Sequence, residues 1–303
     1  METKAGFVTI IGKPNVGKST LMNALLGERL SIITNKPQTT RKRILGILSD
    51  KGTQIIFLDT PGILEPAYLL QEKMVDYIIN SANDADVLVY LFDTNEKLPS
   101  FDSKEHEKLN KILSKKRIKK IAVLNKMDTS KQEDVMKKIK QLEDLKLFDN
   151  IIPISALLNF NVEALMQSIK EYLPVHPKFY PDDQLTDEPE KFFVSEIIRE
   201  KIFTKYQDEI PYSTEVIIEE FREQDGKKDF IRAAIIVERD SQKPIIIGKQ
   251  GEAIKKVGKI AREAIEEFLQ RDVYLELQVK VKNKWRSNPQ QLKNFGYTTG
   301  DEK

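Results

Sequence analysis

Eight consecutive residues near the amino terminus have the types and spacing of a phosphate-binding loop. The segment runs Gly12-Lys13-Pro14-Asn15-Val16-Gly17-Lys18-Ser19 and matches G-x-x-x-x-G-K-[ST] between a strand-like run and a helical pattern. Its glycines let successive backbone N–H groups face one anion, and the start of the helix adds its dipole. We therefore expect Lys18 to contact the β- and γ-phosphates of a nucleotide, with Ser19 as a Mg²⁺ ligand and Thr20 beside it.

A second motif, Asp59-Thr60-Pro61-Gly62, ends an apolar run at 53–59. A carboxylate at the end of a strand beside the phosphate loop can hold Mg²⁺ through water, and the Gly62 N–H can meet the γ-phosphate. In isolation the same four residues would be an ordinary turn, so they indicate a nucleotide site only in combination with the other motifs.

A third motif, Asn125-Lys126-Met127-Asp128, ends the run at 120–125. The carboxylate of Asp128 can accept two hydrogen bonds from the N1–H and exocyclic amine of guanine, a donor pair that adenine lacks. We expect Lys126 to lie over the base and Asn125 to connect base and loop; a helix N-cap at Asp128 is the alternative. After the run at 151–155, the segment Ser155-Ala156-Leu157 offers backbone N–H groups to the guanine carbonyl.

These motifs need strands that end at one edge of a sheet. Five apolar runs rich in Val and Ile, at 6–12, 53–59, 86–93, 120–125 and 151–155, have the composition of strands buried on both faces. Helical patterns at 19–27, 69–82, 104–116 and 161–173 alternate with them. The alternation predicts a doubly wound α/β domain over 1–173 with a mostly parallel sheet, which binds ligands at the carboxyl ends of its strands.

The order and spacing of the four motifs resemble the small G domains related to translation factors. The resemblance implies binding of GTP and GDP, with Mg²⁺ held by Ser19, Asp59 and a switch threonine. Thr39 and Thr40 both lie in the segment Pro37-Gln38-Thr39-Thr40-Arg41 where such domains carry that threonine. Similarity to the TTR pattern of related bacterial GTPases favours Thr40.

Ile63 follows the second motif, at the position where many G domains carry a glutamine that orients the attacking water. This resembles the branch of GTPases with a hydrophobic residue there, in which a phosphate-loop asparagine helps to bind K⁺. The resemblance implies catalytic roles for Lys18, Thr40 and Asn15. It also implies slow intrinsic hydrolysis that K⁺ or a partner accelerates.

The pattern changes beyond residue 173. Four prolines and an acidic run indicate a linker at 174–190. A helix, two strand-like runs, a short apolar piece, a long helix at 250–269 and a last strand at 273–282 then predict a smaller α+β domain over 191–286. The polar residues 287–303 predict a flexible C-terminal tail.

A Gly-x-x-Gly loop, Gly248-Lys249-Gln250-Gly251, precedes the long helix of this second domain. The α-β-β-α-α-β order resembles the type II KH fold, in which this loop clamps a nucleotide backbone. A helix-linking turn with a solvated basic face is the alternative. The resemblance implies RNA contacts from Ile247, Gly248, Lys249, Gln250, Gly251, Lys255, Lys256, Lys259, Arg262, Lys282 and Lys284.

Charge is unevenly distributed in the second domain. Residues 181–303 carry 22 basic and 25 acidic side chains, a net charge of −3, whereas 241–262 and 280–293 each carry +5. Such a basic face supplies the phosphate-binding part of RNA affinity. Trp285 lies within the second basic run, where it could stack on a base or pack against its own domain.

Composition limits the remaining function classes. The 303 residues include 49 Lys and Arg against 47 Asp and Glu, no cysteine, and two histidines, His106 and His176. A disulfide scaffold, a thiol nucleophile and Cys-based metal sites are therefore excluded, and a His-based metal centre has few ligands. The amino terminus lacks the layout of a signal peptide, which favours a cytoplasmic location.

The whole set of motifs resembles the Era family of bacterial GTPases over nearly the entire chain. The resemblance implies a monomer that binds the 3′-terminal region of 16S rRNA, assists maturation of the small (30S) ribosomal subunit and is coupled to cell-cycle and growth control. It also implies peripheral contact with the inner face of the cell membrane. From the residues alone, a P-loop ATPase with an RNA-binding tail and a protein–protein scaffold remain open.

Overall fold

The computed structural model of the chain describes residues 2–101 and 107–298. Contacts divide the chain into two compact units: the first ends at residue 187, and the second comprises residues 68–70 and the chain from 188 onward. The described residues do not include His106, the first residues (104–106) of the helix predicted at 104–116, or residues 299–303 of the predicted tail. Within the described ranges, no helix is long and apolar enough to cross a membrane.

Six strands form the sheet of the first unit. They are β1 (Lys4–Gly12), β2 (Ile44–Ser49), β3 (Thr53–Asp59), β4 (Val87–Asp93), β5 (Lys119–Asn125) and β6 (Asn150–Pro153). Their order is β2-β3-β1-β4-β5-β6, with parallel pairing throughout except that β2 is antiparallel to β3. The predicted doubly wound, mostly parallel sheet is therefore confirmed.

Five helices accompany this sheet. They are α1 (Lys18–Leu26), α2 (Leu69–Asp84), α3 (Glu107–Leu113), α4 (Gln132–Asp144) and α5 (Val162–Tyr172). Sequence patterns did not predict α4, because its exposed surface is highly charged and only Val135 and Leu142 are buried. They also did not predict β2, a short edge strand that depends on pairing with β3.

The predicted linker is bound along the edge of the first unit. The backbone N–H of His176 donates to Thr3, and that of Ile47 in β2 donates to the carbonyl of Leu185. The Thr186 hydroxyl donates to the carbonyl of Leu45, also in β2. Residues 174–187 therefore form an ordered strap, although their proline content predicted a plain linker.

The second unit has the element order α-β-β-α-α-β. Its elements are α6 (Glu190–Lys205), α7 (Ile210–Ser213), β7 (Glu215–Arg222), β8 (Asp229–Val237), α8 (Gln242–Ile247), α9 (Glu252–Leu269), β9 (Val273–Val281) and α10 (Pro289–Asn294). The strands form a three-stranded sheet with β8 in the centre, antiparallel to β7 and parallel to β9. The short apolar piece of the sequence is α8, and the smaller α+β fold is confirmed.

The expectation of a flexible tail is wrong for residues 287–298. Helix α10 begins after Asn288, whose side chain accepts a hydrogen bond from the N–H of Gln291. Leu292 and Tyr297 are buried, and the Tyr297 hydroxyl donates to the Glu215 carboxylate. These few buried contacts hold the segment even though most of its residues are polar.

Trp285 is fully buried rather than available to a base. Its indole N–H donates to the carbonyl of Ser213 at 2.9 Å, and its ring packs edge-on against Phe295. A buried indole of this kind contributes packing energy and a satisfied hydrogen bond. The structure thus favours the packing alternative for this tryptophan.

Candidate nucleotide site and nucleic-acid interface

A cleft of about 490 Å³ lies in the first unit, where β1, β3 and β5 end. Each of the four predicted motifs contributes to its walls, through Asn15 and Lys18, Gly62, Asp128 and Leu157 respectively. Since these segments are far apart in the sequence, their meeting at one sheet edge is a property of the fold.

Gly17 in the phosphate loop lies where any larger residue would displace a neighbouring side chain. Its φ of 97° is in the left-handed region, and a Cβ there would lie 2.4 Å from Nδ2 of Asn125. The Asn125 amide donates to the Val16 carbonyl at 2.8 Å, and its Oδ1 accepts from the Ala156 N–H at 2.9 Å. Asn125 thereby ties the phosphate loop to both segments predicted to bind guanine.

Lys18 lies under the phosphate loop. Its Nζ donates to the carbonyls of Gly12 at 3.1 Å and Lys13 at 2.9 Å, and only 6% of the residue is exposed. Burial lowers the pKa of Lys18 to about 8, an effect that the charge of Asp59 opposes. A triphosphate would restore the charged form, because an adjacent anion favours the ammonium.

Three oxygen donors converge beside the loop. The Ser19 hydroxyl donates to Oδ2 of Asp59 at 2.7 Å and lies 3.0 Å from Oγ1 of Thr40. Thr40 Oγ1 is itself 3.5 Å from the same carboxylate oxygen. Thr39 instead bonds within its own loop, with its hydroxyl 2.6 Å from that of Thr34. The geometry therefore points to Thr40 rather than Thr39 as the switch threonine.

The buried carboxylate of Asp59 fits a divalent cation. Its Oδ1 has no hydrogen-bond partner among the described residues, and burial raises its pKa against the opposing charge of Lys18. A hard cation would satisfy the free oxygen and stabilise the ionised carboxylate, and hydroxyl and carboxylate oxygens are ligands that Mg²⁺ accepts. Within the described ranges no cluster of three or more His, Cys, Asp or Glu side chains would suit another metal.

The segment predicted to bind guanine continues from β5. Lys126 has a φ of 68°, and its Nζ forms an ion pair of 2.7 Å with Oδ2 of the buried Asp93 at the end of β4. This pair fixes the lysine stem beside the cleft, and the Asp128 carboxylate is exposed at the cleft wall. Ser155 exchanges two backbone hydrogen bonds with Phe160, which close the loop that carries Leu157.

Ile63 and Asn15 occupy different environments. Ile63 is 7% exposed and packs in the hydrophobic core, while its backbone N–H donates to the Gly12 carbonyl at 3.0 Å. Asn15 has a φ of 63° at the outer rim of the phosphate loop, and its Nδ2 donates to the Asn35 carbonyl at 3.2 Å. Asn15 therefore connects the phosphate loop to the segment that carries Thr40.

Several residues of the cleft were not predicted. Asp93 supports Lys126, and its place at the end of an apolar strand is the signal that could have found it. The segment before the predicted switch motif also lines the cleft, through Ile32, Ile33, Thr34, Asn35 and Lys36. These residues lack a motif of their own, so only the fold reveals that they form a wall.

The Gly-x-x-Gly loop of the second unit lies between α8 and α9. Gly248 has a φ of 73°, and a Cβ there would lie 2.5 Å from the Cβ of Ala253. Gly251 has a φ of 79°, but nothing in the described part of the chain lies within 4 Å of a Cβ at that position. Lys249 and Gln250 between them are exposed. The loop is therefore closely packed at Gly248 and open at Gly251.

The basic residues predicted to contact RNA divide into two groups. Lys255 and Lys256 on α9, and Lys282 and Lys284 after β9, are exposed. Two others on α9 face acidic neighbours: Lys259 is 3.9 Å from Glu263, and Arg262 is 3.4 Å from Glu266. We expect the first group to contribute more to phosphate binding, because no ion pair with another described residue neutralises its charge.

The fold and the cleft define a P-loop GTPase domain joined to a KH domain. A family model described as "50S ribosome-binding GTPase" matches residues 7–126, and a KH domain model matches residues 209–286. The chain is 45% identical to GTPase Era of Geotalea daltonii, over 97% of both chains, and 43% identical to that of Staphylococcus haemolyticus, over 98% of both. The chain belongs to the Era family of GTPases.

Two solved structures of the family match nearly the whole chain. One is a variant of Era from Aquifex aeolicus bound to GDP and AlF₄⁻, and the other is Era in complex with MgGDPNP and nucleotides 1506–1542 of 16S ribosomal RNA. Each is 40% identical to this chain, has a TM-score of 0.91, and covers 98% of this chain and 100% of its own.

Proposed function

We propose that this GTPase is a molecular switch that binds GTP and GDP with Mg²⁺ in the first unit and RNA through the second. The observation that carries the nucleotide part is the convergence of the Ser19 and Thr40 hydroxyls on Oδ2 of Asp59, whose buried Oδ1 has no hydrogen-bond partner among the described residues. The Gly-x-x-Gly loop with exposed cations beside it carries the RNA part.

In this proposal the chain positions the γ-phosphate and responds to its loss. The phosphate-loop N–H groups and Lys18 hold the phosphates, and Asp128 selects guanine by accepting two hydrogen bonds. Bound Mg²⁺ supplies positive charge to the β- and γ-phosphate oxygens, with Ser19 and Thr40 as its protein ligands and Asp59 acting through water. Thr40 holds its segment closed with GTP and releases it after hydrolysis.

Hydrolysis without a partner is proposed to be slow. Ile63 is buried and apolar, so it cannot orient the attacking water as a glutamine does. Asn15 lies between the phosphate loop and the Thr40 segment, where its amide oxygen could help to hold K⁺. Equal hydrolysis rates in Na⁺ and K⁺ buffers, unaffected by Asn15→Asp, would contradict this role of K⁺.

For the RNA we propose the 3′-terminal region of 16S rRNA, and for the biological role maturation of the 30S subunit with links to growth and cell-cycle control. The support is the family relative solved with nucleotides 1506–1542 of 16S rRNA. The proposed location is the cytoplasm, with peripheral contact at the inner face of the cell membrane, and the proposed state is a monomer.

The experiment is an RNA pull-down with the full chain loaded with a GTP analogue or with GDP. We expect 16S 3′-end RNA to be retained more strongly in the GTP-analogue state, and Lys249→Asp/Gln250→Asp to abolish retention in both. The matched control Lys137→Asp/Gln141→Asp changes the same residue types on α4 and should retain RNA. Unchanged RNA retention by the loop variant would identify the second unit as a protein-binding scaffold instead.

A further inference from the structure

Asn23 on α1 makes a set of contacts that the nucleotide site does not account for. Its Oδ1 accepts hydrogen bonds from the backbone N–H groups of Leu30 at 3.1 Å and Ser31 at 2.9 Å. Its Nδ2 donates to the carbonyl of Ser31 at 2.8 Å. One side chain therefore fixes three backbone groups of two consecutive residues.

The clamped residues stand directly before the wall of the cleft. Leu30, Ser31 and Ile32 are buried, whereas Ile33 is 43% exposed. Residues 32–40 then line the cleft and end at Thr40 beside Ser19 and Asp59. The clamp thus marks the point at which the chain leaves the core and begins the segment that must open and close.

The Ser31 side chain is also held by α1. Its hydroxyl is buried and donates to Sδ of Met22 at 3.6 Å. Together with the Asn23 contacts, this bond fixes both the backbone and the side chain of Ser31 against α1, one residue before the wall of the cleft begins.

We propose that Asn23 is a positioning residue that anchors the start of the switch segment, residues 32–40. Loosening the anchor would let residues 32–40 open more often. Nucleotide and Mg²⁺ would then leave faster, although Asn23 itself contacts neither. The inference rests on the proposed binding of guanine nucleotide and Mg²⁺.

The test measures dissociation of a fluorescent, non-hydrolysable GTP analogue from the full chain, with Mg²⁺ and with EDTA, because Thr40 is proposed to hold its segment closed in the GTP state. In wild type, EDTA should accelerate dissociation strongly. We expect Asn23→Ala to raise the rate in Mg²⁺ about tenfold and to shrink the difference between Mg²⁺ and EDTA, because three backbone groups of the clamp lose their partner. Asn23→Asp keeps the acceptor for the two N–H groups but loses the donor, so its rate should be intermediate.

Asn150→Ala is the matched control. Asn150 is also a partly buried asparagine with local hydrogen bonds, to Ser168 and Ile151, but it lies at the start of β6 away from the cleft. It should lower the melting temperature without changing dissociation of the analogue. If Asn23→Ala does not fold, Asn23→Asp carries the test, because it keeps the acceptor and loses only the donor.

The outcomes distinguish failure of the proposed nucleotide binding from failure of the positioning role of Asn23. If wild type does not bind the fluorescent GTP analogue, the proposed nucleotide function fails. If wild type binds but Asn23→Ala, or Asn23→Asp in its place, releases the analogue with wild-type rate and Mg²⁺ dependence, the positioning role fails alone. The role also fails if Asn150→Ala produces the same kinetic change.

Discussion

The two glycine loops of this molecule differ in how closely the surrounding residues enclose them. In the first unit, Gly17 lies so close to Asn125 that a single added carbon would collide at 2.4 Å, and the neighbouring Lys18 is 6% exposed. In the second unit, the space in front of Gly251 is open to 4 Å within the described residues, and Lys249 is exposed. Both loops are proposed to bring backbone to phosphate, but one would enclose its ligand and the other would leave it free on one side.

This difference matches the ligands proposed for each loop. A nucleotide is small and ends within the cleft, so enclosure can add a metal and a buried lysine. An RNA strand continues past the protein, so its loop has to remain open along the backbone direction. We therefore expect single substitutions in the loop of the first unit to reduce GTP affinity strongly. Substitutions in the loop of the second unit should reduce RNA affinity by smaller amounts that differ from residue to residue.

The largest effect should come from Gly17→Ala. The added methyl must displace Asn125, which also holds Val16 and Ala156, and the φ of 97° becomes strained. Since charge-assisted hydrogen bonds to phosphate would be lost, we expect GTP affinity to fall about 100-fold or more. Calorimetry would measure this, and Gly27→Ala, also at positive φ but with open space, should leave GTP affinity within about threefold.

Asp128→Asn should change selectivity more than the fold. The amide can no longer accept both hydrogen bonds from guanine, but its NH₂ can donate to the extra carbonyl of xanthine. We expect GTP binding to weaken about 100-fold while XTP binding improves. Competition between the two nucleotides measures the ratio, and exposed Asp134→Asn on α4 is the control. Full GTP preference in the Asp128 variant would exclude the role assigned to this carboxylate.

Smaller effects should come from the open loop, where the two glycines differ. Gly248→Ala places a methyl 2.5 Å from Ala253, so it should lower both stability and RNA affinity. Gly251→Ala meets only backbone strain, about 1 kcal/mol, and should lower RNA affinity by roughly fivefold. Filter binding and thermal melts measure the pair. Equal losses of stability would show that the loop is less open than its geometry indicates.

Trp285→Phe tests the same domain away from the loop. Removing the indole N–H leaves the Ser213 carbonyl without its partner, so stability should fall by about 1–2 kcal/mol. RNA affinity should remain unchanged because the ring is fully buried. Denaturant unfolding and filter binding distinguish this outcome from a stacking role, in which RNA affinity would fall instead.

Sequence patterns predicted the parts of the molecule whose signals are local. Central strands such as β4 are apolar throughout, and the motifs lie directly after strands, so both were recognisable without a structure. The edge strand β2 and the polar helix α4 were missed because their stability depends on neighbours rather than on their own periodicity.

Specific side-chain contacts could not be predicted from such patterns. The ion pair between Lys126 and Asp93 joins the residue after β5 to the end of β4, and the clamp of Asn23 joins α1 to the segment that follows it. The burial of Trp285 likewise depends on Ser213, far away in the sequence. In each case the residue type permits several partners, and only the folded chain selects one.

The strap at 174–187 has a practical consequence for preparing the first unit alone. A fragment that stops at residue 173 would expose the N–H of Ile47 and the carbonyl of Leu45, which Leu185 and Thr186 cover in the full chain. Unpaired groups on an edge strand promote association between sheets. A fragment that ends at residue 187 keeps this edge capped and is the better choice for measuring nucleotide binding without RNA.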